Sequence, residues 1–439
     1  MSNPIANWWR SRQFNSALRK GKHRLAEQFL QQIQSSSAKL SFLEKLFRDK
    51  LQFERDSLQY KRETVNLREK LQQASQKVAE LEQKLEATRD DNSFLKPDDK
   101  FIDFVSKSFK LIEHDENKLQ CTGIDERIFN DLEASLVEYL QEEFSKYSPG
   151  VLSSKLRDAV EDINSLKRGE DPSYKFNLTP HAYFMRYFIE NVYCSYLAWF
   201  LIYKQNLLPR KLNILDIAAG PGTVAYGLAL LLRSSSGFFP QPPMHISYYS
   251  LEKQAAFQYR GLQFWRRYIE SQKTATNAYF RFDTADIFNC NEKSNKLPQG
   301  FFDFIVISHC FFYETESKMQ SCETYKQIFA NSLKPLGYVL LIIQDKKLRQ
   351  IYNARQSEDQ EQEKRLIKEF VAELGLDLVW YKYLTSTDSR IPYSARDFAK
   401  FAEENLPRQL YMSRLIKQHF GLKYESNYKL DDYVILARQ

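Results

Sequence analysis

The sequence predicts an α/β fold in its C-terminal part, preceded by a helical unit and an N-terminal coiled coil. Three observations support this prediction. From residue 211 onward, short β-branched or aromatic runs alternate with helical stretches, as in a mostly parallel sheet with helices on both faces. No glycine occurs between Gly21 and Gly123, and that interval contains a single proline, Pro97, which favours helix. Apolar residues within it recur every seven positions.

Composition narrows the class of protein. With 439 residues, 43% of them hydrophobic, the chain can bury the cores of two domains. Its five cysteines form no C-x-x-C pair, so we expect no metal site and no disulfide framework. The start of the chain lacks the apolar core of a signal peptide. The longest apolar run, 192–203, is shorter than the roughly 20 residues of a membrane span. A cytoplasmic location without a transmembrane segment is therefore expected.

Residues 1–39 are predicted to form a basic arm. The first fifty residues hold ten lysines and arginines against three acids, and they include Trp8 and Trp9. Such an arm could meet an anionic partner such as RNA or an acidic membrane surface. A solvated helical face would account for the same charges, so both explanations stay open.

Residues 40–96 are predicted to form the coiled coil. A helix from residue 46 to 95 would be roughly 75 Å long and unstable alone, so we expect a homodimer or a partner helix. Pro97 ends this segment, and residues 97–179 form an acidic helical unit. The apolar column that recurs every seven residues is Leu46, Phe53, Tyr60, Leu67, Ala74 and Leu81, joined downstream by Leu71, Val78 and Leu85.

The α/β domain is predicted to span residues 180–439. Its helices and strands alternate along the chain, which is typical of a doubly wound sheet. The candidate strands are Asn213–Ile217, Ile246–Leu251, Tyr279–Phe282, Phe302–Ser308, Tyr338–Ile343, Leu376–Tyr383 and Tyr433–Ala437.

The first candidate strand runs into a glycine turn and then a helix. Asp216 ends the strand, and Gly220 and Gly222 allow a ligand to approach the backbone closely. The helix that follows presents unpaired N–H groups. Residues 220–225 also fit the G-x-G-x-x-A pattern of dinucleotide-binding proteins, so the turn alone does not identify its ligand.

Taken together with the segments that follow, the turn resembles motif I of class I S-adenosylmethionine-dependent methyltransferases. The resemblance covers about residues 180–439 and implies a seven-stranded Rossmann-like methyltransferase sheet. It also implies that Asp216, Ala218, Gly220 and Gly222 hold the methionine end of S-adenosylmethionine. Ala218 stands where the family often has a glycine. A dinucleotide oxidoreductase would repeat the mononucleotide half, and only one half is found here.

The second and third strands end in further acids that match the family pattern. Glu252 stands where the family's ribose-binding acid would be, and a carboxylate can accept bonds from both ribose hydroxyls. A surface Glu beside a helix is the alternative. Asp286 and Ile287 resemble the pair that meets adenine. Asp283 is a near-equal candidate, and either aspartate could be a helix N-cap.

The fourth strand ends in Ser308, which the resemblance places beside the cofactor and the methyl acceptor. His309 follows and is the candidate general base, because its unperturbed pKa of about 6.5 suits proton transfer near neutral pH. A structural, hydrogen-bonded histidine is the alternative. Cys310 raises the possibility of thiolate chemistry on cytosine, but the Pro-Cys dipeptide of those enzymes is missing, which favours an inert cysteine.

The predicted function is S-adenosylmethionine-dependent methyl transfer to a macromolecular or bulky substrate, because the N-terminal segments are unnecessary for a small one. RNA is slightly favoured by the basic arm, and a protein acceptor stays open. Tyr183, Arg186 and Asn191 could share a helix face toward the cofactor. The insertion 385–428 could be a lid or a plain helical elaboration. The alternative function is a non-catalytic coiled-coil scaffold or assembly factor with a vestigial cofactor pocket.

Overall fold

The computed structural model divides the chain into two units, residues 1–90 and 91–439. Most of the predicted coiled coil, residues 50–93, lies outside the described residues, so the coiled coil stays a prediction. The described residues are 4–36, 40–41, 43–45, 47–49, 94–168, 172–240, 242–272, 276–289, 297–421 and 426–439.

In the first unit, two helices form an antiparallel hairpin. Helix α1 (Pro4–Arg19) and helix α2 (His23–Ser35) are joined at Gly21, whose φ of +66° suits glycine. Trp8 and Trp9 are each 56% exposed on α1. The apolar core of the hairpin consists of Phe14, Ala17, Ala26, Leu30, Ile33 and Phe47.

The second unit is built on one mixed sheet of nine strands. Their spatial order is β1-β2-β8-β9-β7-β6-β3-β4-β5. Neighbouring strands from β7 to β5 are parallel, and β9 is antiparallel to both of its neighbours. The strands are β1 (Ile112–Glu113), β2 (Lys118–Gln120), β3 (Lys211–Ile217), β4 (Met244–Glu252), β5 (Thr276–Thr284), β6 (Phe302–Ser308), β7 (Leu333–Gln344), β8 (Asp377–Thr385) and β9 (Asp431–Arg438).

The prediction of seven strands is therefore wrong in number, although each predicted segment overlaps an observed strand. The two additional strands, β1 and β2, belong to the segment predicted as a helical unit. Asp115 closes the turn between them, because its Oδ1 accepts hydrogen bonds from the backbone N–H groups of Asn117 and Lys118. Strand β2 then pairs in parallel with β8. Strands of two and three residues carry no periodicity that could reveal them in the sequence.

Helices cover both faces of the sheet. One face packs against the aromatic helix Ile189–Lys204, which is buried on nearly every side. In chain order, the described helices of this unit are α3 (Asp99–Ser108), α4 (Glu126–Phe144), α5 (Pro149–Ile163), α6 (Ser165–Arg168), α7 (Thr179–Tyr183), a π-helical turn (Phe184–Phe188), α8 (Ile189–Lys204), α9 (Thr223–Ser235), α10 (Ala255–Tyr268), a 3₁₀ turn (Ile287–Asn289), α11 (Thr315–Ser332), α12 (Asp345–Ile351), α13 (Gln360–Glu373), α14 (Ala395–Asn405) and α15 (Leu410–Phe420).

The insertion between β8 and β9 packs onto the helical unit. Met412 of α15 is buried, and its backbone N–H donates to the Glu133 carboxylate of α4 at 2.8 Å. The hydroxyl of Tyr428 donates to the Phe129 carbonyl of the same helix at 3.2 Å. These contacts favour the helical elaboration over a free lid for the part of the insertion that the structure describes. None of the described helices combines the length and apolar composition that crossing a bilayer requires.

Helices α8 and α9 approach each other closely at Gly227. A methyl group at this position would lie 2.6 Å from the Ser195 Cβ. Overpacking of this kind costs about 1–3 kcal/mol, whereas the better helix propensity of alanine contributes about 1 kcal/mol. Gly227→Ala is therefore expected to lower the free energy of unfolding by about 1 kcal/mol in denaturant titrations. The control Gly237→Ala, where the added methyl group meets open space, should show no such loss.

Candidate functional site

The strand order reverses between β3 and β6. From β3 the chain continues to β4 and β5 on one side, while β6 and β7 extend the sheet on the other. Ligands of doubly wound sheets bind at the carboxyl ends of the strands at such a switch point. Asp216 lies at the carboxyl end of β3 and Ser308 at that of β6. These two strands are in parallel register, with Ile217 opposite Ile307.

The glycine turn after β3 has an open, left-handed backbone. Ala218, Gly220 and Gly222 all have positive φ, at +55°, +55° and +83°. A methyl group added at Gly220 or Gly222 would meet no atom within 4 Å, so free space lies directly beside the backbone. Helix α9 begins immediately afterwards, at Thr223. A ligand could therefore contact the turn and the start of this helix at the same time.

Glu252 holds this turn against the end of β4. Its Oε2 accepts a hydrogen bond from the Gly220 N–H at 2.8 Å, and its Oε1 accepts one from the Gln254 N–H at 2.7 Å. Burial raises the pKa of Glu252, and the two backbone donors oppose that rise. Each carboxylate oxygen has a further lone pair. The side chain can thus fasten the turn and still accept hydrogen bonds from the two hydroxyls of a ribose.

Asp216 is fully buried, and only one of its two carboxylate oxygens has a hydrogen-bond partner. The hydroxyl of Tyr248, on β4, donates to its Oδ2, but its Oδ1 has no hydrogen-bond partner. Burial raises the pKa of this carboxyl group to about 7, despite the hydrogen bond from Tyr248. A buried acceptor without a partner costs about 1–3 kcal/mol. A positively charged or hydrogen-bond-donating ligand at Oδ1 would offset that cost.

The two candidate adenine-binding aspartates lie in different places. Asp286 follows β5, where its Oδ2 is 2.8 Å from the Nζ of Lys253, the residue after Glu252. Its Oδ1 accepts from the Phe288 N–H at 3.1 Å. Asp283 lies within β5 and pairs with Arg281 at 3.2 Å. Both aspartates are therefore near the end of β4, where Asp283 is paired with Leu251, but it is the Asp286 carboxylate that contacts the residue after Glu252. Ile287 beside Asp286 is buried.

Three polar side chains without hydrogen-bond partners meet at the end of β6. The Oγ of Ser308, both ring nitrogens of His309 and the Oδ1 of Asp432 are all buried and unpartnered. Asp432 lies on β9, and its Oδ1 is 3.8 Å from the Nδ1 of His309, too far for a hydrogen bond. His309 also has a φ of +59°, an uncommon conformation for a residue with a side chain. Strain of this kind clusters at functional sites.

The segment from α7 to α8 lies near both groups of polar residues at this edge, the group around Asp216 and the group around Asp432. Burial raises the pKa of Tyr183, and the negative charges of Glu252 and Asp216 add to the rise. Asn191 donates to the Tyr183 hydroxyl at 2.8 Å, as expected if they share a face. Further along, burial raises the pKa of Glu190 to about 7, and the Asp432 charge adds to the rise. The π-helical turn lies between these positions, and such turns are frequent at functional sites.

Sequence reasoning missed three residues that shape this edge: Tyr248, Asp432 and Gly261. A methyl group on Gly261 of α10 would lie 2.3 Å from the Pro221 carbonyl oxygen, so this helix touches the glycine turn backbone to backbone. A glycine inside a helical pattern is a detectable sign of such close packing. Tyr248 and Asp432 become relevant only through strand register, which the sequence does not display.

Two described cavities lie beside this edge. An open groove of about 1030 Å³ lies between α9, α10 and strands β4 and β5, and it is lined mainly by apolar side chains such as Leu228 and Trp265. A smaller cavity of about 320 Å³ continues from it to Gly220 and Pro221. Neither is lined by Asp216, Glu252 or His309, so we assign the site from its unsatisfied polar groups rather than from cavity size. No three His, Cys, Asp or Glu side chains are grouped to hold a metal ion in the described parts of the chain.

Comparisons with known proteins find similarity among solved structures. No protein-family model matches the chain, and no curated protein matches it. Similar solved structures include a SAM-dependent methyltransferase from Methanosarcina mazei, with 16% identity over 54% of this chain and 95% of that chain and a TM-score of 0.30. Another is the fibrillarin/Nop5p complex, with 12% identity over 57% of this chain and 82% of that chain and a TM-score of 0.30.

A third similar structure is loganic acid methyltransferase with SAH, with 8% identity over 57% of this chain and 92% of that chain and a TM-score of 0.29. Two of these three structures are named as methyltransferases, and one of them is described with SAH. Identities this low concern the fold alone.

The left-handed conformation of Ala218 leads to a first prediction for the site. This conformation costs a residue with a side chain roughly 1–2 kcal/mol, while glycine loses about 0.4–1 kcal/mol through its freer unfolded chain. Ala218→Gly is therefore expected to raise the free energy of unfolding by about 0.5 kcal/mol in denaturant titrations. The neighbouring control Ala219→Gly, buried and without a positive φ, should lower it instead.

The buried carboxyl group of Asp216 leads to a second prediction. A folded-state pKa of about 7, above the unfolded value, stabilises the fold at low pH, and this contribution is lost as the pH rises through 7. Asp216→Asn removes the charge, and its carbonyl oxygen can still accept from Tyr248. We expect the variant to gain stability relative to the parent chain between pH 5 and pH 8, by about 2–3 kcal/mol. Urea titrations at the two pH values measure this difference, and a pH-independent difference would contradict it.

Proposed function

We propose that this chain is an S-adenosylmethionine-dependent methyltransferase that acts on a macromolecular or bulky substrate in the cytoplasm. One observation carries the proposal. At the switch point of the sheet, a buried carboxylate with an unpartnered oxygen, Asp216, adjoins an open glycine turn that Glu252 holds in place. The residues at this edge fit the cofactor, because they offer acceptors for a cationic group and for a ribose beside a free stretch of backbone.

Each part of the cofactor has a proposed partner. Asp216, Ala218, Gly220 and Gly222 hold the methionine end. Glu252 accepts the ribose hydroxyls, Asp286 and Ile287 meet the adenine, and Ser308 lies between the cofactor and the acceptor. When bound, the cofactor supplies a methyl group already activated on a sulfonium. The protein then has to align the acceptor and remove its proton.

A nicotinamide dinucleotide fits this architecture less well. Dinucleotide-binding sheets repeat a parallel mononucleotide half on the far side of the switch point. Here the antiparallel strand β9 is inserted between β7 and β8, so the far half does not repeat the first. The strand order therefore favours a methyltransferase over a dinucleotide-binding protein, a distinction that the glycine turn alone does not make.

His309 is the proposed general base. Burial lowers the pKa of its imidazole, although the nearby Asp432 carboxylate opposes this effect, so the neutral form that accepts a proton is favoured. The 3.8 Å between the Nδ1 of His309 and the Oδ1 of Asp432 allows Asp432 to stabilise the imidazolium that forms. Asp432 would act through His309 and is a positioning residue in this respect.

The N-terminal segments are the basis for a large substrate. We propose the arm 1–39, the coiled coil 40–96, the helical unit 97–179 and the methyltransferase domain 180–439 as the domains of the chain. RNA is slightly favoured over a protein, because α1 exposes Trp8 and Trp9 among basic residues, with the Arg12 guanidinium 5.1 Å from the Trp8 ring centroid. The coiled coil would join two copies or a partner helix.

Calorimetric titration of the full chain tests the cofactor. We expect S-adenosylmethionine to bind with micromolar affinity and NAD(H) not to bind. Loss of the ribose contacts in Glu252→Ala should weaken binding by about 100-fold, since hydrogen bonds to a charged group are worth about 1.5–3 kcal/mol each. Asp286→Ala should also weaken it, whereas Asp283→Ala, a change within β5, should not.

Two outcomes would contradict the proposal. Binding of NAD(H) instead of S-adenosylmethionine would identify a different cofactor. Binding of neither would favour the alternative, a coiled-coil scaffold or assembly factor with a vestigial pocket, and deletion of residues 40–95 should then abolish partner binding. If the cofactor binds, labelling of RNA and protein fractions with a tritiated methyl group identifies the acceptor class, and Asp216→Ala should abolish that labelling.

A further inference from the structure

We infer that the acceptor end of this site, formed by Ser308, His309 and Asp432, takes a primary amine. The inference rests on the proposed methyltransferase function and adds the chemical class of the acceptor. It starts from an imbalance between donors and acceptors at the end of β6. Among the described residues, the buried atoms there without hydrogen-bond partners are the Oγ of Ser308, the two ring nitrogens of His309 and the Oδ1 of Asp432.

Most of these atoms are hydrogen-bond acceptors. The Oδ1 of Asp432 can only accept while the carboxyl group is ionised, and a neutral imidazole has one accepting nitrogen. Asp432 is only 8% exposed, and its other oxygen, Oδ2, already accepts from the Asp431 N–H at 3.3 Å. A ligand that completes this site must therefore bring several donors, and a protonated amine brings three.

The spacing of these acceptors suits an ammonium group. A nitrogen placed about 2.8 Å from both the Nδ1 of His309 and the Oδ1 of Asp432, which are 3.8 Å apart, would subtend an angle of about 85°. That angle is within the bending tolerance of two tetrahedral N–H donors. The third N–H would remain for a further acceptor. The two atoms are thus too far apart for a direct hydrogen bond, and a donor placed beside both could bridge them.

Other classes of methyl acceptor would satisfy the hydrogen-bonding atoms of this site less well. A hydroxyl brings a single donor and would leave either His309 or Asp432 unsatisfied. A carboxylate would add a negative charge beside Asp432, whose pKa burial already raises. The neighbouring cation Lys429 lies 3.6 Å from the Glu190 carboxylate, so its charge is shared with that group. The local charge therefore favours a cationic ligand.

The chemistry balances with groups already named. The ammonium loses one proton to the Nδ1 of His309, which becomes an imidazolium beside the Asp432 carboxylate. The lone pair of the amine then forms a bond to the methyl carbon, and the carbon–sulfur bond breaks with its electron pair going to sulfur. The products are an N-methylated ammonium group and a neutral thioether. The proton on His309 returns to solvent.

Binding of three small probes of similar size tests the inference without turnover. The full chain, labelled with ¹⁵N-histidine and saturated with S-adenosylhomocysteine, is titrated with methylammonium chloride, methanol and sodium formate. His309→Asn identifies the signals of this residue among the six histidines. We expect methylammonium alone to shift the His309 ring nitrogens in a saturable manner. Equal or larger shifts with methanol or formate would overturn the inference.

A matched pair of variants assigns the effect to the correct carboxylate. Asp432→Asn removes the charge beside His309 and should reduce the methylammonium-induced shift at least tenfold. Asp431→Asn changes the adjacent residue, whose carboxylate instead accepts from the Tyr383 hydroxyl at 2.6 Å, and should leave the shift unchanged. An unchanged shift in Asp432→Asn would overturn the assignment.

The linkage of the transferred methyl group separates this inference from the proposed function. Extract labelled with tritiated S-adenosylmethionine is treated with alkali and, separately, hydrolysed in acid. Label that survives alkali and is recovered as a methylated amine on a cation exchanger supports the amine. Volatile label released by alkali indicates a methyl ester and overturns the inference while sustaining the proposed function, as would label recovered in an ether. Absence of any transfer would overturn both.

Discussion

The hydrogen bond from the Gly220 N–H to Glu252 is the contact on which the rest of the site depends. Strands β3 and β4 are aligned so that Asp216 lies opposite Ser250, and Glu252 therefore projects just beyond the end of β3. From there its carboxylate reaches the turn that β3 enters. The turn is held in a left-handed path before any ligand arrives. A ligand would then meet an ordered backbone and would not have to supply the entropy of fixing it.

The buried carboxyl groups at the same edge lower the stability of the fold. Burial raises the pKa values of Asp216, Glu252, Glu190 and Asp432, which means that the surroundings disfavour their charged forms. Four buried carboxyl groups along one edge of the sheet have no structural advantage over apolar side chains. Such local departures from good packing are expected where a protein binds or transforms a ligand. A cationic ligand at this edge would stabilise the charges that burial disfavours.

The sequence predicts strands β3 to β9 and the positions of the candidate cofactor residues at their ends, because both depend on local pattern. Alternating runs mark β3 to β9, and Asp216, Gly220 and Glu252 each lie at the end of a recognisable strand. The strands β1 and β2 escape prediction, since two or three residues cannot show a period. The position of Asp432 beside His309 could not be predicted for a different reason. It lies 123 positions from His309, and only the insertion of β9 beside β7 brings the two together.

The helical segment before β3 links the two ends of the site. Tyr183 lies near Asp216 and Glu252, whereas Glu190, two turns later, lies near Asp432, so one element borders both the proposed cofactor site and the proposed acceptor site. The π-helical turn between them adds a residue to the helical repeat and changes which side chains face the edge. The following helix α8 is almost entirely buried, and its close packing on α9 fixes the height of this segment above the sheet. The distance between the proposed cofactor site and the proposed acceptor site is therefore set by core packing.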